Sequence, residues 1–452
     1  MSSKAAKSTI VKECFGGNLL PQGRGFYVTL ELMAISWGVD QVDESKLLLP
    51  GCEIEFQRRS HDFVRRLLTD VSGQFVDSLG ADGGIADDDV MRELGDLFRG
   101  LLVPIPFQAK APGWFGYHLF PYVGELIHYD AVNSRVKAGE KSVPQVERYL
   151  YRGGGTLVYE LLRTDPNQGR LKDTRAGIRQ LTAASDSSLG KLAAEMASHD
   201  FDQPDTVFTD NTVQDHDETR NTNVLEALRS GVHSILTNDR VERARKVDYL
   251  SHWVPFCLAL HQRELAFRLC DERRTYIPVA ITTDRALRAE SRKIFERSRR
   301  QIRQALVKTA QNLAAKKPED SELSHLAEGS EKWTNDTQLF FASTLAVIGG
   351  LNHNSGRRHF TMKPALVEAV VAALVPEPEG VDFDLFCQSR LFEKLGLVVD
   401  DISANKVGLL RFVNGTTMEQ NTTAFSNLLA DSGLLLSLSD ATRLVGLGLE
   451  GG

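Results

Sequence analysis

The densest run of one chemistry in this chain is guanidinium. Between Asp284 and Lys317 stand eleven lysines and arginines against three acids, a local charge of +8. At about 100° per residue, Arg285, Arg288, Arg292, Arg299 and Arg303 fall within an arc of roughly 60°, and Leu287, Ile294, Ile302 and Leu313 cluster on the neighbouring face. The spacing predicts a helix that buries one stripe and points a row of arginines along another. Such a row can meet successive phosphates of a duplex, each neutralised phosphate releasing counterions. It can also pair with an acidic protein surface, including the acidic segments 81–98 and 195–222 of this same chain, or stand solvated. A second basic group, Arg357 and Arg358 in the sequence Gly356-Arg357-Arg358-His359, reads as a loop able to touch phosphate.

Other candidate chemistries are weaker. His252, Cys257, His261 and Cys270 include one i,i+4 pair but lack the tight spacing that makes four zinc ligands converge, and Cys257 stands in an apolar run where a buried thiol is ordinary. Asp210, Asp215, His216, Asp217 and Glu218 match no calcium loop. Gly153-Gly154-Gly155 precedes a helix but no GxxxxGK[ST] follows, so it reads as a helix-initiating loop. Gly446, Gly448 and Gly451 spell GxGxxG with no helix to follow. There is no G-x-S-x-G elbow and no carboxylate arrangement that argues for a metal-dependent nuclease. The Pro112–His118 aromatic stretch reads as a rigid loop rather than a stacking platform. No catalytic residue, metal ligand or cofactor is assigned.

The elements that must position the arginines belong to a chain of 452 residues, 42% hydrophobic and 25% charged, which is ordinary globular composition and long enough for several domains. Net charge is 53 − 60 = −7, so the basic segment is an exception in an acidic protein. The longest apolar run, Leu339 to Leu351, contains Ser343 and Thr344 and is too short to span a bilayer. The lysine-bearing N-terminus has no apolar core, and five scattered cysteines form no disulfide framework. The expectation is a cytoplasmic protein without a membrane partner.

Four segments are expected. Residues 1–130 read as mixed α/β, with a strand over Gly25–Leu32, a helix near 56–71 and another near 88–100. Residues 131–222 read as helical from about 145, ending in an acidic solvated loop. Residues 223–352 read as a helical domain carrying the basic helix. Residues 356–452 read as a winged-helix-like module: helices over 363–374 and 382–395 with Gly396 as terminator, a short strand at 397–399, a hairpin tip or wing over 400–406, and short helices near 418–430 and 439–445. The expected fold class is therefore mainly α with a mixed α/β N-terminal part, multi-domain.

From Gly356 the chain reads GRRHFTMKPALVEAVVAALVPEP, and from Asp382 DFDLFCQSRLFEKLGLVVDD. These stretches resemble the C-terminal modules of accessory proteins in bacterial multi-gene antiphage defence systems, whose operons pair them with ATPases, methyltransferases or nucleases that act on DNA. The resemblance lies in a hydrophobic rhythm and carries over no functional residue. It implies protein partners and double-stranded DNA. The recognition helix expected over 382–395 has a balance of −1, which favours protein contact over groove reading. The leading expectation is a non-catalytic DNA-associated accessory subunit. The alternatives are a scaffold whose basic helix docks an acidic partner, and a divergent metal-dependent nuclease.

Overall fold

A computed structural model describes residues 2–19, 25–56, 88–103, 119–127, 131–133, 145–147, 154–198, 208–210, 215–273, 275–328, 331–438 and 442–449. Over these residues the chain is mainly helical. The helices are α1 (Ser3–Phe15), α2 (Phe26–Val42), α3 (Asp88–Gly100), α4 (Gly155–Arg163), α5 (Gln168–Thr182), α6 (Ser188–Ser198), α7 (Asn223–Thr237), α8 (Arg243–Leu269), α9 (Arg285–Lys316), α10 (Ser321–Ala327), α11 (Glu331–Val347), α12 (Pro364–Leu374), α13 (Phe383–Leu385), α14 (Asp401–Lys406) and α15 (Gly415–Asp431). α13 runs directly into a π-helical segment, Phe386–Leu395.

The strand expected over Gly25–Leu32 is instead the start of α2. Every residue from Phe26 to Val39 is buried. A helix enclosed on all sides needs no polar stripe, so its sequence shows no 3.6-residue period for pattern reading to find. Its one buried acid explains a second feature. The Glu31 carboxylate accepts from Thr156 N at 3.1 Å and Thr156 Oγ1 at 2.8 Å, so it caps the start of α4 from across the core. The glycine turn before α4 is thus a helix start closed by this chain's own carboxylate.

α8 is the central post. It packs against α2, α7, α9, α11 and α12, and Trp253 on it is fully buried. α7 approaches closely at Gly231, where an added Cβ would fall 2.4 Å from Trp253 Nε1. The buried apolar cluster runs from Ala6 to Val445 and draws side chains from all four expected segments.

Strands are short. β1 (Ile54–Phe56) pairs antiparallel with β4 (Phe208–Asp210), and β2 (Ala131–Asn133) with β3 (Gln145–Glu147). The stretch expected as a solvated acidic loop therefore supplies a strand, and further on Asp215 holds the buried Arg163 at 2.7 Å. The helix expected near 56–71 and most of the aromatic loop lie outside the described residues, whereas α3 stands where a helix was expected.

The C-terminal segment departs from expectation in two places. The residues read as a hairpin tip, 400–406, form α14, because the Asp400 carboxylate accepts from Ser403 N and starts a helix there. The helix read near 439–445 is a strand where described. β9 (Arg443–Val445) pairs antiparallel with β8 (Leu435–Ser437) and with β6 (Val381–Asp382), giving the order β6-β9-β8. The helix over 382–395 does end at Gly396, at φ 74°. The strand after it, β7 (Leu397–Val398), pairs in parallel with β5 (Ile277–Pro278) just before α9.

Candidate nucleic-acid interface

α9 is 32 residues long and starts at Asp284, whose carboxylate accepts from Leu287 N at 2.8 Å. Its buried side chains include Leu287, Ser291, Phe295, Ser298, Ile302, Ala305, Leu306 and Thr309 along one stripe. The arginine row borders that stripe. What lies against the border is the hairpin 351–360, which carries the second basic group.

Ser291 is the hinge pin. Its Oγ accepts from Phe360 N at 2.9 Å and donates to Phe360 O at 3.4 Å. Phe360 bridges to Leu351 and packs with Phe295 and Phe341. Within the hairpin, His359 N donates to Asn352 Oδ1 at 2.8 Å, Asn352 N to His359 O at 3.2 Å, and Asn352 Nδ2 to Arg357 O at 3.3 Å. Arg358 lies over the Phe295 ring, 5.0 Å from its centre, and Nη1 donates to Asn354 O at 3.3 Å. The basic loop is therefore fixed to α9 by a buried hydroxyl and an aromatic cluster.

The candidate residues fall as follows. Arg285 and Arg357 are exposed; Arg288, Arg292, Arg299, Arg303 and Arg358 are half-buried. Arg288 Nε donates to Thr282 O at 3.1 Å. Arg299 reaches Glu296 at 3.4 Å. Arg358 is brought beside Arg299, and burial followed by that neighbouring charge pushes its pKa down. Among the described residues neither Arg288 nor Arg292 has a carboxylate within ion-pair reach. The Nε atoms of Arg292, Arg299 and Arg358 are buried with no hydrogen-bond acceptor.

On the opposite side of α9 the cations are engaged differently. Arg297 pairs with Glu272 at 2.6 Å, Lys308 with Asp271 at 2.5 Å and Lys293 with Glu290 at 2.6 Å. So part of the +8 is neutralised within the chain, by acids at the end of α8 and on α9 itself. The Arg288–Arg292 side is left with its charge.

Two residues beyond the arginines complete the geometry: His359, the last of the basic loop, and Asn421, which spacing did not single out. His359 is 4% exposed, and burial, then the charges of Arg288, Arg292 and His353, hold its pKa at about 4. Asn421 on α15 is fully buried. Its Oδ1 accepts from Ile281 N (2.9 Å) and Thr282 N (3.3 Å), and its Nδ2 donates to Val279 O (3.0 Å) and Val399 O (2.9 Å). That fixes the segment whose Thr282 carbonyl takes Arg288. A polar residue on the apolar stripe of a helix, as at Ser291 between Leu287 and Phe295 and at Asn421 between Met418 and Phe425, was the available signal.

The weaker candidates are dispersed. His261 Nδ1 faces Thr222 Oγ1 at 2.8 Å, His252 Nδ1 takes the Asp248 carbonyl side at 2.9 Å, and the Cys270 thiol lies 3.7 Å from Gln301 O. Burial pushes the Cys257 thiol well up. Among the described residues no three His, Cys, Asp or Glu side chains gather to hold a metal ion, and no helix is long and apolar enough to cross a membrane. No family model, curated protein or solved structure matches the chain.

Proposed function

We propose that the protein is a non-catalytic, DNA-associated accessory subunit that lies on the phosphate backbone through the face shared by α9 and the 351–360 hairpin. The observation that carries this reading is the union of two separate basic sequences, Arg288/Arg292/Arg299 and Arg358, on one face. Glu272, Asp271 and Glu290, which pair other cations of α9, lie elsewhere, while Glu296 reaches Arg299 at 3.4 Å. Arg288 and Arg292, which have no carboxylate within reach among the described residues, are suited to phosphate oxygens, and a helix rising about 1.5 Å per residue sets Arg285 and Arg303 roughly 27 Å apart. At about 3.4 Å of duplex axis per base pair this is a span of roughly eight pairs. The contacts are with backbone, so little base preference is expected.

The C-terminal segment supports a protein-docking role. Its order is α12, β6, α13 with the π-helical segment, β7, α14, α15, β8 and β9, with β9 pairing to both β6 and β8; we read it as a winged-helix-like module departing from the simplest pattern by β7 and α14. On that reading the recognition position falls to α15 rather than to 382–395, and the exposed side chains of α15 include Thr416, Glu419, Gln420, Thr423 and Asn427 but no lysine or arginine. Such a surface is poor for a polyanion and open to a protein. The resemblance to accessory proteins of antiphage systems fits a subunit that bridges DNA and other subunits.

The test is an electrophoretic shift on duplex DNA with chelator present. Binding that is lost when Arg288, Arg292 and Arg299 are changed to Glu supports the proposal. Retention of DNA by that variant, together with failure to assemble with partner subunits, would favour the scaffold reading, to which the same cationic face lends itself.

A further inference from the structure

We infer that the seam between the first turns of α9 and the hairpin, at Arg288, Arg292 and His359, takes a single phosphoryl group. The inference rests on the same face as the DNA reading but does not need a duplex.

Three observations lead there. His359 is 4% exposed, and its Nδ1 has no hydrogen-bond partner among the described residues. An imidazole nitrogen left unsatisfied inside a protein costs free energy that a native structure normally recovers from a ligand or water. The guanidinium charges that act on it, Arg288 and Arg292, come from successive turns of α9, and Arg292 Nε is itself buried and unsatisfied. Unpaired like charges around a buried polar atom are unfavourable until an anion sits among them. Finally, the frame is rigid. Ser291 lies between the two arginines in sequence and holds the hairpin by both its donor and its acceptor, while Thr282 O fixes Arg288 from the other side. A frame that holds donors in place loses little on binding.

The ligand class follows from the donors. The guanidinium groups are always cationic and their forked N–H groups match the tetrahedral oxygens of phosphate. A carboxylate offers only two oxygens in one plane. Arg299 and Arg358 sit about two turns further along and would meet a neighbouring group on a polymer, not the same one.

The experiment is a calorimetric titration of the full chain with inorganic phosphate at constant ionic strength, chloride serving as the control anion. It is repeated for Arg292→Gln and His359→Gln. Phosphate is expected to bind the wild-type protein in preference to chloride, and to bind Arg292→Gln about tenfold more weakly, the loss that one charge-assisted hydrogen bond produces. His359→Gln removes the buried Nδ1 and should weaken binding too; should that variant not fold, Arg292→Gln, at a half-buried site, still decides. A trinucleotide with a 5′-phosphate, compared with its 5′-hydroxyl form, separates the sources. Preference for the former assigns the site to a terminal phosphate, and equal binding by both assigns it to the internucleotide diester. Absence of phosphate binding while duplex DNA still shifts would overturn the phosphoryl site and leave the backbone reading intact. Phosphate binding without any duplex shift would do the reverse. Equal phosphate binding by Arg292→Gln and wild type would also overturn it.

Discussion

Asn421 shows how a single amide can set the geometry of a site it does not enter. All four of its hydrogen bonds are made to backbone groups, two of them to the N–H groups of Ile281 and Thr282. Changing it to Ala leaves two half-buried N–H groups and two buried carbonyls unmatched, which should cost roughly 3 kcal/mol. Asn421→Asp should be worse at neutral pH, since a carboxylate oxygen would then face the carbonyls of Val279 and Val399. Chemical denaturation of both variants checks the order. At this scale the sequence was readable for charge and not for connection. The arginine row and the Gly356–His359 loop were each visible in the residue types, but nothing in the spacing places residue 358 beside residue 299. That proximity depends on the Ser291 hydroxyl, which looks like any serine on a helix until its partner is known.

At the scale of elements, the seam between α9 and the hairpin depends on one hydroxyl bonded twice. Ser291→Ala removes it without changing backbone propensity much. The expected result is faster hydrogen exchange at Phe360 N and weaker DNA binding, with α9 still formed; unchanged exchange at Phe360 would show that the aromatic cluster alone holds the seam. The α7–α8 crossing gives a second prediction. Gly231→Ala would drive a Cβ against Trp253, and overpacking of this kind costs about 1–3 kcal/mol, which a shift of the denaturation midpoint would report. α9, with one buried stripe, was legible because its apolar positions repeat, and α12, although buried on every side from Ala369 to Leu374, was marked as a helix by its alanines and by the proline at its start. α2 was misread as a strand because it is buried on every side, and the 400–406 segment because a helix of six residues shows too little of its period to tell from a turn. β8 and β9 were blurred by length: three residues of apolar sequence fit a strand or a helix equally.

For the molecule as a whole, the buried cluster joins side chains from Ala6 to Val445, and three histidines inside it or at its edge are held neutral. Burial, the largest cause in each, pushes His261 to about 3, His216 to about 4 and His359 to about 4, whereas an unfolded histidine titrates near about 6.5. Below that pH the unfolded chain binds protons that the native chain does not. Stability is therefore complete above about pH 6.5 and falls as the pH is lowered toward 4. At pH 5 each histidine contributes up to roughly 2 kcal/mol of that loss. Urea midpoints at pH 7.5 and 5 should show the drop, and His261→Asn, which keeps an amide group near the Thr222 hydroxyl, should flatten it. A midpoint independent of pH across that range would mean that the histidines gain compensating partners on protonation.

The central claim, that the Arg288–Arg299 row meets phosphates, also belongs to the whole molecule, because an acidic chain must overcome its own net charge of −7 to do so. The most direct test is the salt dependence of duplex binding, measured by fluorescence anisotropy for the wild type and for Arg288, Arg292 and Arg299 each changed to Gln together. If each arginine neutralises one phosphate, the slope of log affinity against log salt should become shallower by about 0.9 per arginine, or about 2.7 for the three. An identical slope in the two proteins would contradict the claim, since it would mean that the row never touches the backbone.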